Sequence, residues 1–251
     1  MLREWKTEWM KTRYRRIGLV ILAFLGLIVL WSAWALDDIP RSQADDGFRL
    51  MFLQLPMINT ILTPTMIAML ASRLCDAEVK GDTLKLLCTM ERKSRLFDMK
   101  LLTGSCYLTL FVAAQTVLIF TMSRIHHFTE PLNPRQLLYF ILQIYIVDLA
   151  ILLLQVLLSF FFENQILPLA AGLWGSFVGL FSWFFQDGLL KKCFLWGYYS
   201  ELCFIGNDWD RETRIVTYYD MPFDWLSLAI LVVILTAGYL TGKRLFLRKE
   251  I

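Results

Sequence analysis

The chain has 251 residues, 57% of them apolar and 15% aromatic, with a formal net charge of +3 and a mean hydropathy of +0.53. That is more apolar than a water-soluble domain carries, and the charged residues collect between long apolar runs, which excludes an ordinary soluble enzyme. The basic excess calls for no nucleic-acid partner, because Lys and Arg beside apolar runs meet anionic lipid head groups at about 1 kcal/mol each.

Residues 1–16 carry six bases, and Leu2, Trp5 and Trp9 fall at i, i+3 and i+7. This predicts an amphipathic helix lying in the membrane interface, which also serves as a basic anchor. The apolar run 17–36 follows. It is too long for a secretory signal, ends on Asp37 and Asp38 and lacks a small-residue cleavage pattern, so it reads as a retained span. Five more runs follow at 48–72, 101–123, 137–162, 166–186 and 225–242. A hydrocarbon core of roughly 30 Å needs about 20 apolar residues in a helix. The runs show none of the alternation of barrel strands. The expected fold is an all-α integral membrane protein with six transmembrane helices over 17–242.

Counting Lys and Arg orients the spans. Residues 1–16, the loop 73–100, the turn at 163–165 and the tail 243–251 hold seventeen, and the other connections hold eight. The richer side is the cytoplasmic one, so both termini and the loop 73–100 are expected inside.

In the second span, Pro56 and Pro64 each remove a backbone hydrogen bond and are expected to kink the helix. Asn59, Thr60, Thr63 and Thr65 lie nearby, and helix packing is favoured over substrate contact for them. In the loop 73–100, Leu84, Leu87 and Cys88 recur at i, i+3 and i+4, predicting a short helix over about 82–90 capped by Asp82 or Thr83. Two turns are marginal in water, so this helix needs a surface to dock on.

His126 and His127 are adjacent in a short outer loop, where neighbouring positions point apart and do not suit a shared metal. Asp148 is the one acid well inside a span. Burying a carboxylate in hydrocarbon costs at least roughly 2.5 kcal/mol, so it faces protein or water, either as a proton or cation site or as a polar partner of Gln143, Gln155 or another helix. The outer loop 187–224 has seven acids against four bases, and its Trp196, Tyr198, Tyr199, Trp209, Tyr218 and Tyr219 suit a segment on the outer leaflet. Its Cys193 and Cys203 lie on the oxidising side; free thiols are favoured over a disulfide. The stretch from Gly238 to Arg244 is one residue short of a phosphate-binding loop and ends in Arg, so ATP hydrolysis is not expected in this chain.

In Glu78, Gly81, Thr83, Leu84, Leu86, Leu87, Thr89, Ser94, Arg95 and Lys100 the loop 73–100 resembles the permease subunits of type-2 ABC transporters. Two departures are Asp82 between Gly and Thr, and the absence of Pro before Ser94-Arg95. Small size and short loops make the chain most similar to the permeases of lantibiotic-immunity exporters. The resemblance implies a coupling helix docking on a separate ABC ATPase, which binds the ATP and Mg, so that Asp82, Thr83, Leu84, Lys85, Leu87, Cys88 and Met90 form the partner interface. It also implies a second permease subunit, the same or related, and a cationic antimicrobial peptide as cargo. A lipid, drug or polysaccharide cargo, or an ion-coupled carrier using Asp148, are the alternatives.

Overall fold

The computed structural model describes residues 9, 10, 12, 15–37, 46–80, 92–185, 188–209 and 216–248, and it is 82% helical. In chain order the elements are α1 (Ile17–Asp37), α2 (Gly47–Lys80), α3 (Lys93–Ile125), α4 (Pro134–Phe161), α5 (Ile166–Ser182), α6 (Gly188–Cys193), a 3-10 turn (Leu195–Gly197), α7 (Tyr198–Glu201), β1 (Ile205–Trp209), β2 (Val216–Asp220) and α8 (Trp225–Arg248). Five of them, α1, α2, α3, α4 and α8, are long and apolar enough to cross a membrane.

α2 is the central element and touches α1, α3, α4 and α5. Of its most apolar stretch 67% is buried, against 22% for α1 and 17% for α8. The sequences explain the difference. α2 interleaves its oil with Asn59, Thr60, Thr63, Ala68 and Ala71, polar and small groups that pack well against other helices, and all five are fully buried. α1 instead shows Leu19, Leu22, Leu30 and Trp34 outward, a surface suited to lipid. Both Pro56 and Pro64 lie inside one continuous α2.

Two connections differ from expectation. α2 runs past residue 72 to Lys80 and α3 begins at Lys93 rather than 101, so helix replaces much of the loop 73–100. Residues 187–224 hold α6, the 3-10 turn, α7 and an antiparallel β1–β2 hairpin with Ile205 opposite Asp220 and Trp209 opposite Val216. Ile, Val, Thr, Tyr and Trp in those strands suit a pleated, half-buried surface.

Side-chain contacts sort the connections to the two ends of the bundle. At one end Arg73 Nη1 donates to the Arg15 carbonyl at 2.5 Å, Trp9 stacks on Tyr107 at 5.3 Å, and Lys243 Nζ meets Asp98 at 2.6 Å. At the other end Arg49 gathers Asp46 at 2.7 Å, Asp220 at 3.3 Å and Glu130 at 3.6 Å.

α5 has 17 residues, about 26 Å at 1.5 Å per residue, and is shorter than the span expected over 166–186. Its buried face is Gly172, Gly175, Ser176, Gly179 and Ser182, and Trp174, Phe177 and Phe181 point outward. The small face lets α2 come close: a Cβ on Gly172 would lie 2.6 Å from Ala68 Cβ and 3.0 Å from the Pro64 carbonyl. α5 ends beside Thr60, whose hydroxyl accepts from Trp183 Nε1 at 3.1 Å, well inside α2 rather than at Gly47. Residues 195–204 fill the space beyond it.

Candidate functional site

Two polar clusters are buried among the helices. The first joins α2 to α3. Asn59 Nδ2 donates to Gln115 Oε1 at 2.8 Å, Gln115 Nε2 returns a bond to Asn59 Oδ1 at 2.9 Å, and the Thr63 hydroxyl donates to the same Asn59 oxygen at 2.9 Å. All three side chains are fully buried. Away from water a polar group left unpaired costs about 1–3 kcal/mol, and here each amide satisfies the other. Thr65 reaches Ser176 of α5 at 3.3 Å, and Gln155 of α4 lies against a turn of α5, where its amide, rotated to exchange oxygen and nitrogen, donates to the Pro168 carbonyl at 2.9 Å and accepts from the Gly172 amide at 3.2 Å. Asn59, Thr60, Thr63 and Thr65 are therefore helix-packing groups.

The second cluster holds Asp148. Its side chain is fully buried, and Oδ1 accepts a short hydrogen bond from the Tyr199 hydroxyl. Gln143, five residues earlier on α4, donates from Nε2 to the Tyr199 carbonyl at 2.6 Å. The two α4 side chains thus clamp one tyrosine at its backbone and at its hydroxyl. Among the described residues Asp148 Oδ2 and Gln143 Oε1 have no partner.

Tyr199 is the residue sequence reasoning missed. Two tyrosines in a polar segment looked like aromatics of the outer leaflet, yet Tyr198 and Tyr199 are both fully buried. Trp209 and Tyr219 do stay exposed, at 63% and 50%. The segment 195–204 enters the bundle through fitted contacts. A Cβ on Gly175 would lie 2.0 Å from the Trp196 ring, the Ser200 and Ser182 hydroxyls meet at 2.8 Å, and Phe204 packs on Phe52 at 5.6 Å and Tyr139 at 5.7 Å.

Charged groups ring the mouth of this segment. Lys192 lies 3.2 Å from Glu201 and 3.6 Å from Asp224, and its hydrogen bond to Glu201 holds the ammonium above the ordinary lysine range. Asp224 accepts from the Ser227 amide at 3.0 Å and caps α8. Cys193 is exposed and Cys203 buried, both free thiols.

The remaining expected positions fall elsewhere. Asp82, Thr83, Leu84, Lys85, Leu87, Cys88 and Met90 lie outside the described residues, between the ends of α2 and α3. Residues 1–8 also lie outside them. Gly238 and Lys243 are parts of α8, and Lys243 is engaged by Asp98 and by the Tyr239 hydroxyl at 2.9 Å. His127 occupies the left-handed region with φ 53° in the turn after α3.

A family model described as ABC-2 family transporter protein matches residues 5–179. Comparison with curated proteins and with solved structures finds no match.

Proposed function

The chain belongs to the ABC-2 transporter family, and on that premise we propose that it is the permease half of an exporter that removes cationic amphipathic peptides from a bacterial cytoplasmic membrane. As an ABC-2 permease it is a multi-pass membrane component that works with an ABC ATPase rather than an ATPase itself. The observation that carries the reading is the family match over a bundle whose five long helices are apolar enough to cross a membrane.

In this reading six segments cross, α5 being completed by residues 195–204, and both termini face the cytoplasm with residues 81–92. The seventeen-to-eight distribution of Lys and Arg supports that direction. Residues 82–90 dock on the ATPase, which holds ATP and Mg. Leu84 and Leu87 serve as apolar anchors, Asp82, Thr83, Lys85, Cys88 and Met90 complete the interface, and a second permease subunit completes the pathway. ATP binding in the partner draws the two coupling segments together, and the permease passes between two packed states. The acids of 187–224 attract a cationic peptide to the outer face.

The test co-expresses the chain with its ATPase. Leu84→Asp with Leu87→Asp is expected to abolish co-purification and ATP-dependent transport while leaving the chain in the membrane; intact transport would overturn the interface. For the cargo, cells carrying the pair should tolerate a cationic lanthionine peptide. Unchanged tolerance, with ATP-driven movement of a lipid, drug or polysaccharide instead, overturns the peptide and keeps the permease.

A further inference from the structure

The second polar cluster is chemically incomplete. A carboxylate sealed in the bundle has one donor, the Tyr199 hydroxyl, while Oδ2 and the neighbouring Gln143 Oε1 have no partner among the described residues. α4 packs against α2, α3, α5, α7 and α8. Among the described residues none of these brings a charged side chain to Asp148, and Tyr199 is its one titratable neighbour. Lys192, Glu201 and Asp224 act on Tyr198 instead. A bare negative charge with one hydrogen bond and no cation is costly in such a place, and a neutral carboxylic acid is not.

We propose that Asp148 is a proton-binding site gated by residues 195–204: the carboxyl carries its proton while Tyr199 is seated and releases it when the segment lifts out of the bundle. On lifting, Tyr199 withdraws and water enters. The O–H bond at Oδ2 breaks, water takes the proton, and the carboxylate left behind is solvated. Reseating reverses the transfer, because Tyr199 and Trp196 expel the water before the pocket closes. Withdrawal of the segment therefore releases one proton, whatever cargo the chain moves.

The sign follows from this linkage. The seated form binds the proton, so it is favoured at low pH. Above about pH 4, where a solvated aspartic acid ionises, each pH unit favours the lifted form by up to ~10-fold.

Cys203 is a built-in reporter. It belongs to the segment and is 8% exposed, and its thiol donates to the Ile205 carbonyl at 3.5 Å. The full chain in lipid nanodiscs is treated with a membrane-impermeant maleimide, and modification of Cys203 is followed by mass spectrometry. Exposed Cys193 serves as a control for reagent access. Because thiol ionisation is common to wild type and Asp148→Asn, the ratio of their rates at each pH isolates Asp148. The ratio is expected to climb from mildly acidic to mildly alkaline pH by up to ~10-fold per unit, and a flat ratio overturns the proposal. Replacing sodium with choline at fixed pH should change nothing; a sodium-dependent rate would make the ligand a metal cation and overturn the proton. Tyr199→Phe keeps the ring and removes the hydroxyl, and should raise Cys203 labelling severalfold at every pH. Wild-type labelling in that variant overturns the gate even where Asp148→Asn fails to fold.

Discussion

The Asn59–Gln115 pair and the Asp148–Tyr199 pair are both fully buried polar contacts between elements of one bundle, and they are built to opposite ends. In the first, two amides exchange donors and acceptors and Thr63 takes up the remaining capacity, so the bond network closes on itself and ties two long helices. In the second, one partner comes from a four-residue helix, α7, and two acceptor atoms are left over. A closed network fixes a packing. An open one on a short element marks a place where the packing changes.

That contrast can be broken by experiment. The largest effect is expected from Gly175→Leu, because even a Cβ there would overlap Trp196. Overpacking costs about 1–3 kcal/mol or more, and the variant should expel residues 195–204, lowering Tm and opening Cys203 to labelling while α2 and α3 stay paired. Gln115→Leu should follow, at about 1–3 kcal/mol, since it strands a buried amide. An unchanged Tm would mean that the first pair is no closed unit. Next, Asn59→Leu with Gln115→Leu should cost less than the sum of the single changes, by about 0.6 and at most ~1.7 kcal/mol for a bond inside a membrane bundle. Strict additivity in a double-mutant cycle would show the two residues to be uncoupled. Smallest is Asp148→Asn measured near pH 4, where the carboxyl is largely protonated in both forms; it keeps the shape and the acceptor for Tyr199 and should move stability there by no more than ~0.5 kcal/mol. A loss as large as that of Gln115→Leu would place both pairs in one class.

Hydropathy located the helices because lipid-crossing segments need length and oil and little else. It placed the start of α1 at residue 17 and of α5 at 166, where the structure also begins them. It misjudged the far side of α2 because Arg73, Asp76, Glu78 and Lys80 look like loop residues, although a helix leaving the bilayer tolerates charge without ending. The depth of Tyr199 was not legible at all. Its neighbours in sequence are charged and aromatic, as at an interface, and only Gly175 and Gly179 of α5, four residues apart on one face, hint that something bulky is received there. Asp148 was legible as a residue needing a partner, and the partner lay fifty-one positions away in another element. The hairpin had a readable signal in its β-branched and aromatic residues, but the surrounding acids made the segment look like loop.

The grip of α8 on α3 gives the bundle a mechanical property. Asp98, near the start of α3, is held by Lys243 and by the Tyr239 hydroxyl at 2.8 Å, and Phe97, Phe160 and Phe246 interlock beside it, with rings 4.6 to 6.3 Å apart. The same α8 begins at Trp225, one residue after the Asp224 that pairs with Lys192. One helix, α8, thus touches the start of α3 near its C-terminal end and the rim of the Tyr199 pocket near its N-terminal end.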